Sequence, residues 1–417
     1  MGLLEDVDDS GDRVRLHRLL AAFVVGEIGR GEKESSRQGA KGEEGAKEEV
    51  GVMAAAREAV EKAVISLAYK QNSAGDPRAL RMWDVQLRHV VDTAFEREDE
   101  TAATLSTNFG YYLKMSGDLA GARPYYERAL AIYERVLGPE HPATAGSLNN
   151  LGYLLQDLGD LAGARPYYER ALAIRERVLG PEHPTASQEA ATATSLNNLG
   201  GLLQDLGDLA GARPYYERAL AISERVFGPE HPATATSLNN LGQMLQDLGD
   251  LARARGYLER ALTIRERVLG PEHPATAASL NNLGLLLQDL GDLAGARPYY
   301  ERALAISMRV LGPEHPDTAG SLNNLGYLLQ AQGDLAGARP YYERALAIRE
   351  RVLGSEHPDT ALSLNNLGYL LDSQGDLAGA RPVYERALAI FTARLGPDHL
   401  YTRGVRANLA TLPPLDP

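Results

Sequence analysis

The stretch "SLNNLGYLLQDLGDLAGARPYYERALAIRERVLGPEHP", Ser147–Pro184, decides the fold, because the chain writes it again almost letter for letter as "SLNNLGYLLQAQGDLAGARPYYERALAIRERVLGSEHP", Ser321–Pro358. The glycine of the "NNLG" block serves as a ruler. It falls at Gly110 (in the variant "TNFG"), Gly152, Gly200, Gly242, Gly284, Gly326 and Gly368, with spacings of 42, 48, 42, 42, 42 and 42 residues. The one long spacing is accounted for by "TASQEA", Thr185–Ala190, after His183-Pro184. The register resumes at once, so the insertion should loop out or extend the first helix of the third unit without shifting the stacking.

Each unit reads as two helices. In the first, Leu148, Leu151, Leu155 and Leu158 recur at i, i+3, i+7 and i+10, one apolar face of an α-helix. "LGD" breaks it, with Gly159 suited to a left-handed cap and Asp160 placed as the next N-cap. The second helix runs from Leu161 to about Leu179, with Ala164, Tyr168, Ala171 and Leu172 on its buried side. Pro166 lies inside it and predicts a local bend. "GPEHP" closes the unit, with Gly180 as cap and Pro184 in the first turn of the next helix. Gly152 should face the partner helix and let the backbones approach; glycine inside a helix costs about 1 kcal/mol against alanine, so packing must offset it in every copy. One pair cannot bury its own apolar face, so the pairs must stack.

Leu148, Leu151, Gly152, Leu155, Ala164, Tyr168 and Ala171 occupy the spacing of the tetratricopeptide repeat signature. The 42-residue length, "LNNLG", "YYERALAI" and "VLGPEHP" resemble the kinesin-light-chain subtype, which departs from the 34-residue form by a longer second helix and a His-Pro loop. The expected fold is all-α: a right-handed α-solenoid, or superhelix, of seven tandem helix-turn-helix units over residues 98–401. A small helical region precedes it. "TRGVRANLA" starts an eighth first helix that is not completed, so residues 402–417 should form a half-repeat cap and tail.

The first hundred residues differ. Residues 1–28 read as a short strand running into a helix, and "GLLE…VRLHRLLAAFV" resembles the winged-helix end of bacterial signalling ATPases of the NB-ARC type. Residues 29–50, rich in Gly, Glu and Lys, read as a linker. Residues 51–97 read as two helices, the second carrying Trp83, Leu87, Val90 and Val91 on one face, and "MWDVQLRHVVDTAFE" resembles the spacer of those ATPases. The resemblance implies a regulatory arm of such an ATPase, but no G-x-x-x-x-G-K-[ST] phosphate loop occurs in this sequence.

Composition narrows the function. The 417 residues carry a net charge of −13, which argues against a nucleic-acid partner. There is no cysteine, so neither a disulfide frame nor a thiolate metal site is expected. The longest apolar run, Leu19–Val25, is too short to span a bilayer. A cytoplasmic protein without cofactor or metal is the expectation.

Candidate chemistry is sparse. His141, His183, His231, His273, His315, His357 and His399 recur at one place per unit, so stacking sets them in a row where they cannot converge on one ion; turn chemistry explains them. His17 and His89 sit on apolar helices and suggest packing. Glu169, Arg170, Arg175, Glu176 and Arg177 read as a solvated face, and Asp157 and Asp160 as capping residues. No nucleophile, base and orienting group stand together, so no enzyme is expected.

The amides are the exception. At 100° per residue, Asn149, Tyr153 and Gln156 form a stripe opposite the leucines, with Asn150 beside it. Asn197, Gln204, Asn239, Gln246, Asn281, Gln288, Asn323, Tyr327, Gln330, Asn365 and Tyr369 continue it. Solvent faces favour Glu and Lys, whereas amides both donate and accept. The expected role is a concave groove that pairs with the backbone of a protein or peptide, with tyrosines adding contact area. The resemblance to kinesin light chain points to the same groove.

Overall fold

The computed structural model describes residues 83–179 and 185–413, preceded by residues 61–62, 64–65 and 78–81. The expected winged-helix remnant and linker, His17, Gly180, His183 and Pro184 lie outside these residues. Two helices, α1 (Arg78–Arg81) and α2 (Asp84–Phe95), lead into seven pairs. The pairs are α3 (Glu100–Met115) with α4 (Leu119–Val136), α5 (Pro142–Asp157) with α6 (Leu161–Leu179), α7 (Ala186–Asp205) with α8 (Leu209–Phe227), α9 (Pro232–Asp247) with α10 (Leu251–Val268), α11 (Pro274–Asp289) with α12 (Leu293–Val310), α13 (Pro316–Ala331) with α14 (Leu335–Val352), and α15 (Pro358–Ser373) with α16 (Leu377–Leu395). A final helix, α17 (Leu400–Thr411), packs on α16. The array is an α-solenoid of tandem helix pairs.

The local rules act alike in every pair. His141 Nδ1 accepts the Ala143 N–H at 3.2 Å and so caps α5, with Pro142 in its first turn. His231, His273, His315 and His357 cap α9, α11, α13 and α15 in the same way. Gly159 turns the chain at φ +77°, and Asp160 Oδ1 accepts the Gly163 N–H at 2.9 Å to start α6. Asp157 is not a cap; its carboxylate reaches Lys114 of the preceding pair. α6 continues through Pro166 to Leu179.

Leu148, Leu151, Leu155, Ala164, Tyr168 and Ala171 are all buried. A Cβ on Gly152 would stand 3.0 Å from the Tyr168 ring. The missing side chain is what lets the tyrosine lie flat on the first helix. Fully burying one such side chain is worth about 1.5–3 kcal/mol. In α2, Leu87, Val90 and Val91 are buried as the pattern predicts, but His89 lies on the exposed side. His89 is therefore no part of the core.

The insertion is absorbed at the start of α7. Thr185 caps the helix in a reciprocal box with Gln188, and the helix is four residues longer than α5, 20 against 16. Leu196 and Leu199 still occupy the core. Arg175 corrects the reading of a uniformly solvated face. Its guanidinium turns inward and donates to the Ala191 carbonyl. Arg265 and Arg349, at the same position in later units, are buried against Ser279 and Ser363 at 2.8 and 3.0 Å. Burial lowers the pKa of all three.

Consecutive first helices touch one another directly, whereas the second helices are bridged by long pairs such as Arg170–Glu134 and Arg218–Glu176, each at 2.6 Å. This difference curves the array with the first helices inside. The curvature brings the array back onto itself. Arg81 Nη2 donates to the Val352 and Leu353 carbonyls at 3.3 and 2.9 Å. A Cβ on Gly117 would come within 2.5 Å of His357 Cδ2, and one on Gly159 within 2.5 Å of His399 Cδ2. One superhelical turn thus takes about six units, and nearest-neighbour packing is supplemented by a seam between turns.

α17 covers the last pair through Val405 and Thr402. On an adjoining face, among Leu400, Gly404, Ala407 and Ala410, Arg403 and Arg406 stand where the earlier first helices carry Ala145 and Leu148.

Candidate functional site

The inner wall consists of four rows, one residue per unit in each. The first is Asn149, Asn197, Asn239, Asn281, Asn323 and Asn365. These were expected to face an open groove, but Asn149, Asn239 and Asn323 are each only 7% exposed. Neighbouring first helices approach so closely that this position falls in the joint between them. Asn149 Nδ2 donates to Ser195 Oγ at 3.0 Å, Asn281 to Ser321 at 3.3 Å and Asn323 to Ser363 at 3.4 Å. Asn239 donates to Gln243 and accepts from Asn282, and Asn365 accepts from Asn408. The buried Oδ1 atoms of Asn149, Asn197, Asn281 and Asn323 have no partner among the described residues.

The glutamine row is also engaged. Gln156, Gln204 and Gln246 donate to Asp205, Asp247 and Asp289 of the following unit at 2.5 Å each. Gln330 donates to Ser373 at 3.1 Å. On their other side, Gln156, Gln204, Gln288 and Gln330 accept from Tyr168, Tyr216, Tyr300 and Tyr342 at 2.9, 2.9, 3.4 and 3.1 Å. These amides tie the units together.

The open surface belongs to the two remaining rows. Tyr153, Tyr327 and Tyr369 are 47%, 51% and 51% exposed. Gly201, Gln243 and Leu285 occupy the same place in the middle units. Beside them runs the second asparagine of each unit, half-buried. Asn281, Asn282, Leu285, Asn323, Asn324, Tyr327 and Asn366 line a hollow of about 330 Å³, floored by Tyr300. The structure thus brings Asn281, Asn323 and Tyr327 to one hollow and adds Asn282, Asn324 and Asn366. The sequence signal for the additions was the second Asn of "LNN", which was noticed only as a neighbour of the stripe.

A further inner-wall residue escaped the sequence reading. Lys114 stands at the glutamine position of the first unit. Its Nζ lies 4.1 Å from the centre of the Tyr153 ring, 5.9 Å from that of Tyr111, and 3.0 Å from Asp157 Oδ2. Burial lifts the pKa of Asp157 above the ordinary carboxylate range, opposed by this ammonium. Lys114 is the one basic residue in the seven first helices, which also carry Asp157, Asp205, Asp247, Asp289 and Asp372 near their C-terminal ends. The inner wall is therefore acidic, and none of its first helices carries an arginine. Among the described residues no group of three or more His, Asp or Glu is placed to hold a metal ion. No helix among them is long and apolar enough to cross a membrane.

The family model described as tetratricopeptide repeat matches residues 100–177, 145–188, 191–267, 238–307, 276–335 and 317–393. The chain belongs to the tetratricopeptide repeat family, a fold that in general serves as a non-catalytic scaffold for protein or peptide partners. It is similar to the nearly identical TPR-like repeats of a Podosopora anserina protein assigned to the kinesin light chains, at 28% identity over 51% of this chain and 97% of that one, TM-score 0.41. It is also similar to BtubC (BKLC) from P. vanneervenii, at 23% identity over 62% and 95%, TM-score 0.46. A third similar structure is the Rap conjugation gene regulator of plasmid pLS20 with the Phr* peptide, at 17% identity over 72% and 78%, TM-score 0.51. No curated protein matches the chain by sequence.

Proposed function

We propose that the inner face of the superhelix holds an extended protein or peptide segment. The observation that carries this reading is the hollow between the fifth and seventh units, lined by the half-buried Asn282, Asn324 and Asn366 and the half-exposed Tyr327, with the Oδ1 atoms of Asn281 and Asn323, unpartnered among the described residues, beside them. Amides offer both donors and acceptors, so they pair with a peptide backbone of any sequence. The exposed tyrosines supply rigid contact area. The Rap regulator solved with the Phr* peptide shares the fold, which is support at the level of architecture alone.

The test is a selection of displayed random peptides on the purified chain, followed by affinity measurements. Tyr327→Ala with Asn324→Ala should weaken the selected peptides by about 1 kcal/mol for each hydrogen bond lost, and more for the ring. Arg297→Ala on the outer face should leave them unchanged. If the outer variant abolished binding and the inner pair did not, the groove would be the wrong surface.

A further inference from the structure

Lys114 shows how the inner wall treats a cation. Its ammonium sits over one tyrosine ring, near a second from the preceding unit, and against a carboxylate. A lysine or arginine over an aromatic face is attracted by the ring quadrupole, the more strongly the less water surrounds it. The sixth and seventh units present the same pair of rings without the cation. Tyr327 and Tyr369 are the counterparts of Tyr111 and Tyr153, 42 residues apart in both cases. The position of Lys114 is taken in the sixth unit by Gln330, which is engaged with Tyr342 and Ser373. In the seventh unit it is taken by Asp372, one helical turn from Tyr369.

Two further features mark this place as unfinished. Asp372 has no side-chain hydrogen bond or ion pair among the described residues, although in the second to sixth units a glutamine stands at its position. The Tyr384 hydroxyl, which would bond to that glutamine, is buried without a partner. The Asp372 charge acts on Tyr384 and, with burial leading, raises its pKa. A buried orphan hydroxyl is unfavourable, because it has given up water without gaining a partner. At the edge of the adjoining hollow, the Asn323 Oδ1 is likewise buried and unpartnered. The carboxylate and the amide oxygen accept only, so both call for a donor. No first helix from the second unit to the seventh supplies a Lys or Arg.

We infer that the inner wall of the seventh unit takes a lysine or arginine side chain of an extended partner segment, over the half-exposed Tyr369 ring and against Asp372 one turn further on, a ring and a carboxylate as at Lys114 but in a different register, since the counterpart of Asp157 is Ser373, which Gln330 already engages. This rests on the groove reading above and adds the charge of the occupant. An acidic segment would meet the row of aspartates and is selected against.

The test uses three end-blocked, fluorescein-labelled decapeptides of Ala, Ser and Gly that differ only in a central pair, Lys-Lys, Leu-Leu or Glu-Glu. Fluorescence anisotropy with the full chain should rank them in that order, with the Lys-Lys peptide at least about tenfold tighter than the Glu-Glu peptide and weakened by salt. Asp372→Asn should lower the affinity of the Lys-Lys peptide severalfold and leave the Leu-Leu peptide alone. Lys114→Met should empty the built-in cradle of Tyr111, Tyr153 and Asp157, so that a second Lys-Lys peptide binds. Equal binding of all three peptides, unmoved by Asp372→Asn, would overturn the cationic occupant while leaving the groove in place. If no peptide bound, and the displayed selection also returned none, the groove reading would fall with it. Should Lys114→Met fail to fold, Asp372→Asn still decides.

Discussion

The outer and inner faces of this superhelix are made from the same repeat and differ in what they vary. Outside, Arg123–Glu127, Arg165–Glu169, Arg213–Glu217, Arg255–Glu259, Arg297–Glu301 and Arg339–Glu343 are one ion pair written six times, with N–O distances of 2.6–2.7 Å. Inside, one row reads Tyr111, Tyr153, Gly201, Gln243, Leu285, Tyr327 and Tyr369. A uniform outer frame fixes the rotation from unit to unit, since each repeat meets its neighbour through the same contacts. A varied inner row then gives each position along the groove its own chemistry. The frame carries stability and the row carries recognition, and this division can be attacked directly.

The largest effect belongs to the frame. Tyr300 is 1% exposed and lies on Gly284, where a Cβ would come within 2.8 Å of its ring. Tyr300→Ala opens a cavity that the glycine cannot fill and should cost about 3–5 kcal/mol in denaturant unfolding. Tyr327→Ala, at a half-exposed position on the inner wall, should cost under about 0.5 kcal/mol. The division between frame and row breaks if the two variants unfold alike.

The seam is next. Arg81 joins the start of the array to Val352 and Leu353 more than 270 residues later. A hydrogen bond from a charged donor contributes about 1.5–3 kcal/mol, and the exposure of Arg81 places these two at the low end. Arg81→Ala should widen the seam without loss of helix by circular dichroism. The chain has no cysteine, so spin labels at Val85→Cys and Ser355→Cys report the distance alone. An unchanged distance distribution would show that the frame, and not the seam, sets the curvature.

A smaller effect depends on pH. His357 Nδ1 accepts the Asp359 N–H at 3.0 Å, so the cap of α15 needs the neutral ring. Burial lowers the pKa of His357, Arg349 and Arg81 push the same way, and Asp359 and a hydrogen bond to the Met115 backbone oppose them. A lowered histidine pKa means that the unfolded chain binds the proton more readily. The stability from this residue is therefore complete above the unfolded value near 6.5 and is lost as the pH falls below it. Thermal melts between about pH 7 and pH 5 should show a drop that His357→Asn lacks, because its amide oxygen caps at any pH. Equal drops in both chains would remove His357 from the account.

The repeat, its helix boundaries and its core were legible because they rest on local signals: leucine spacing, the "LGD" turn, the His-Pro start and the glycine beneath Tyr168. The inner wall was legible only in part. Tyr153, Tyr327 and Tyr369 face the groove as helical phase predicts. Asn149, Asn239 and Asn323 have the same phase but fall in the joint, because how closely two first helices approach is set by packing between units and is absent from one helix's periodicity. The seam was not legible at all, since a rotation of a few degrees per unit decides whether turns meet. Lys114 passed unnoticed for a related reason. It is a single departure from the repeat, and its meaning depends on a ring and a carboxylate from the next unit.

The smallest predicted effect is the one that most sharpens the division. Arg297 and Glu301 are each about half exposed. Solvent and salt screen such a pair, and ordering two long side chains offsets most of its Coulomb attraction, so a double-mutant cycle should give about 0.3–0.5 kcal/mol, less at high salt. Replacing both by alanine should leave the groove untouched, because the pair lies on α12 on the outer side and the hollow is lined chiefly by α11, α13 and α15. A chain with these alanines should bind an inner-face peptide as the parent does. If affinity fell while stability held, the outer frame would be transmitting its geometry to the groove. The two faces would then be one mechanical unit, and the uniformity of the outer pairs would itself be part of recognition.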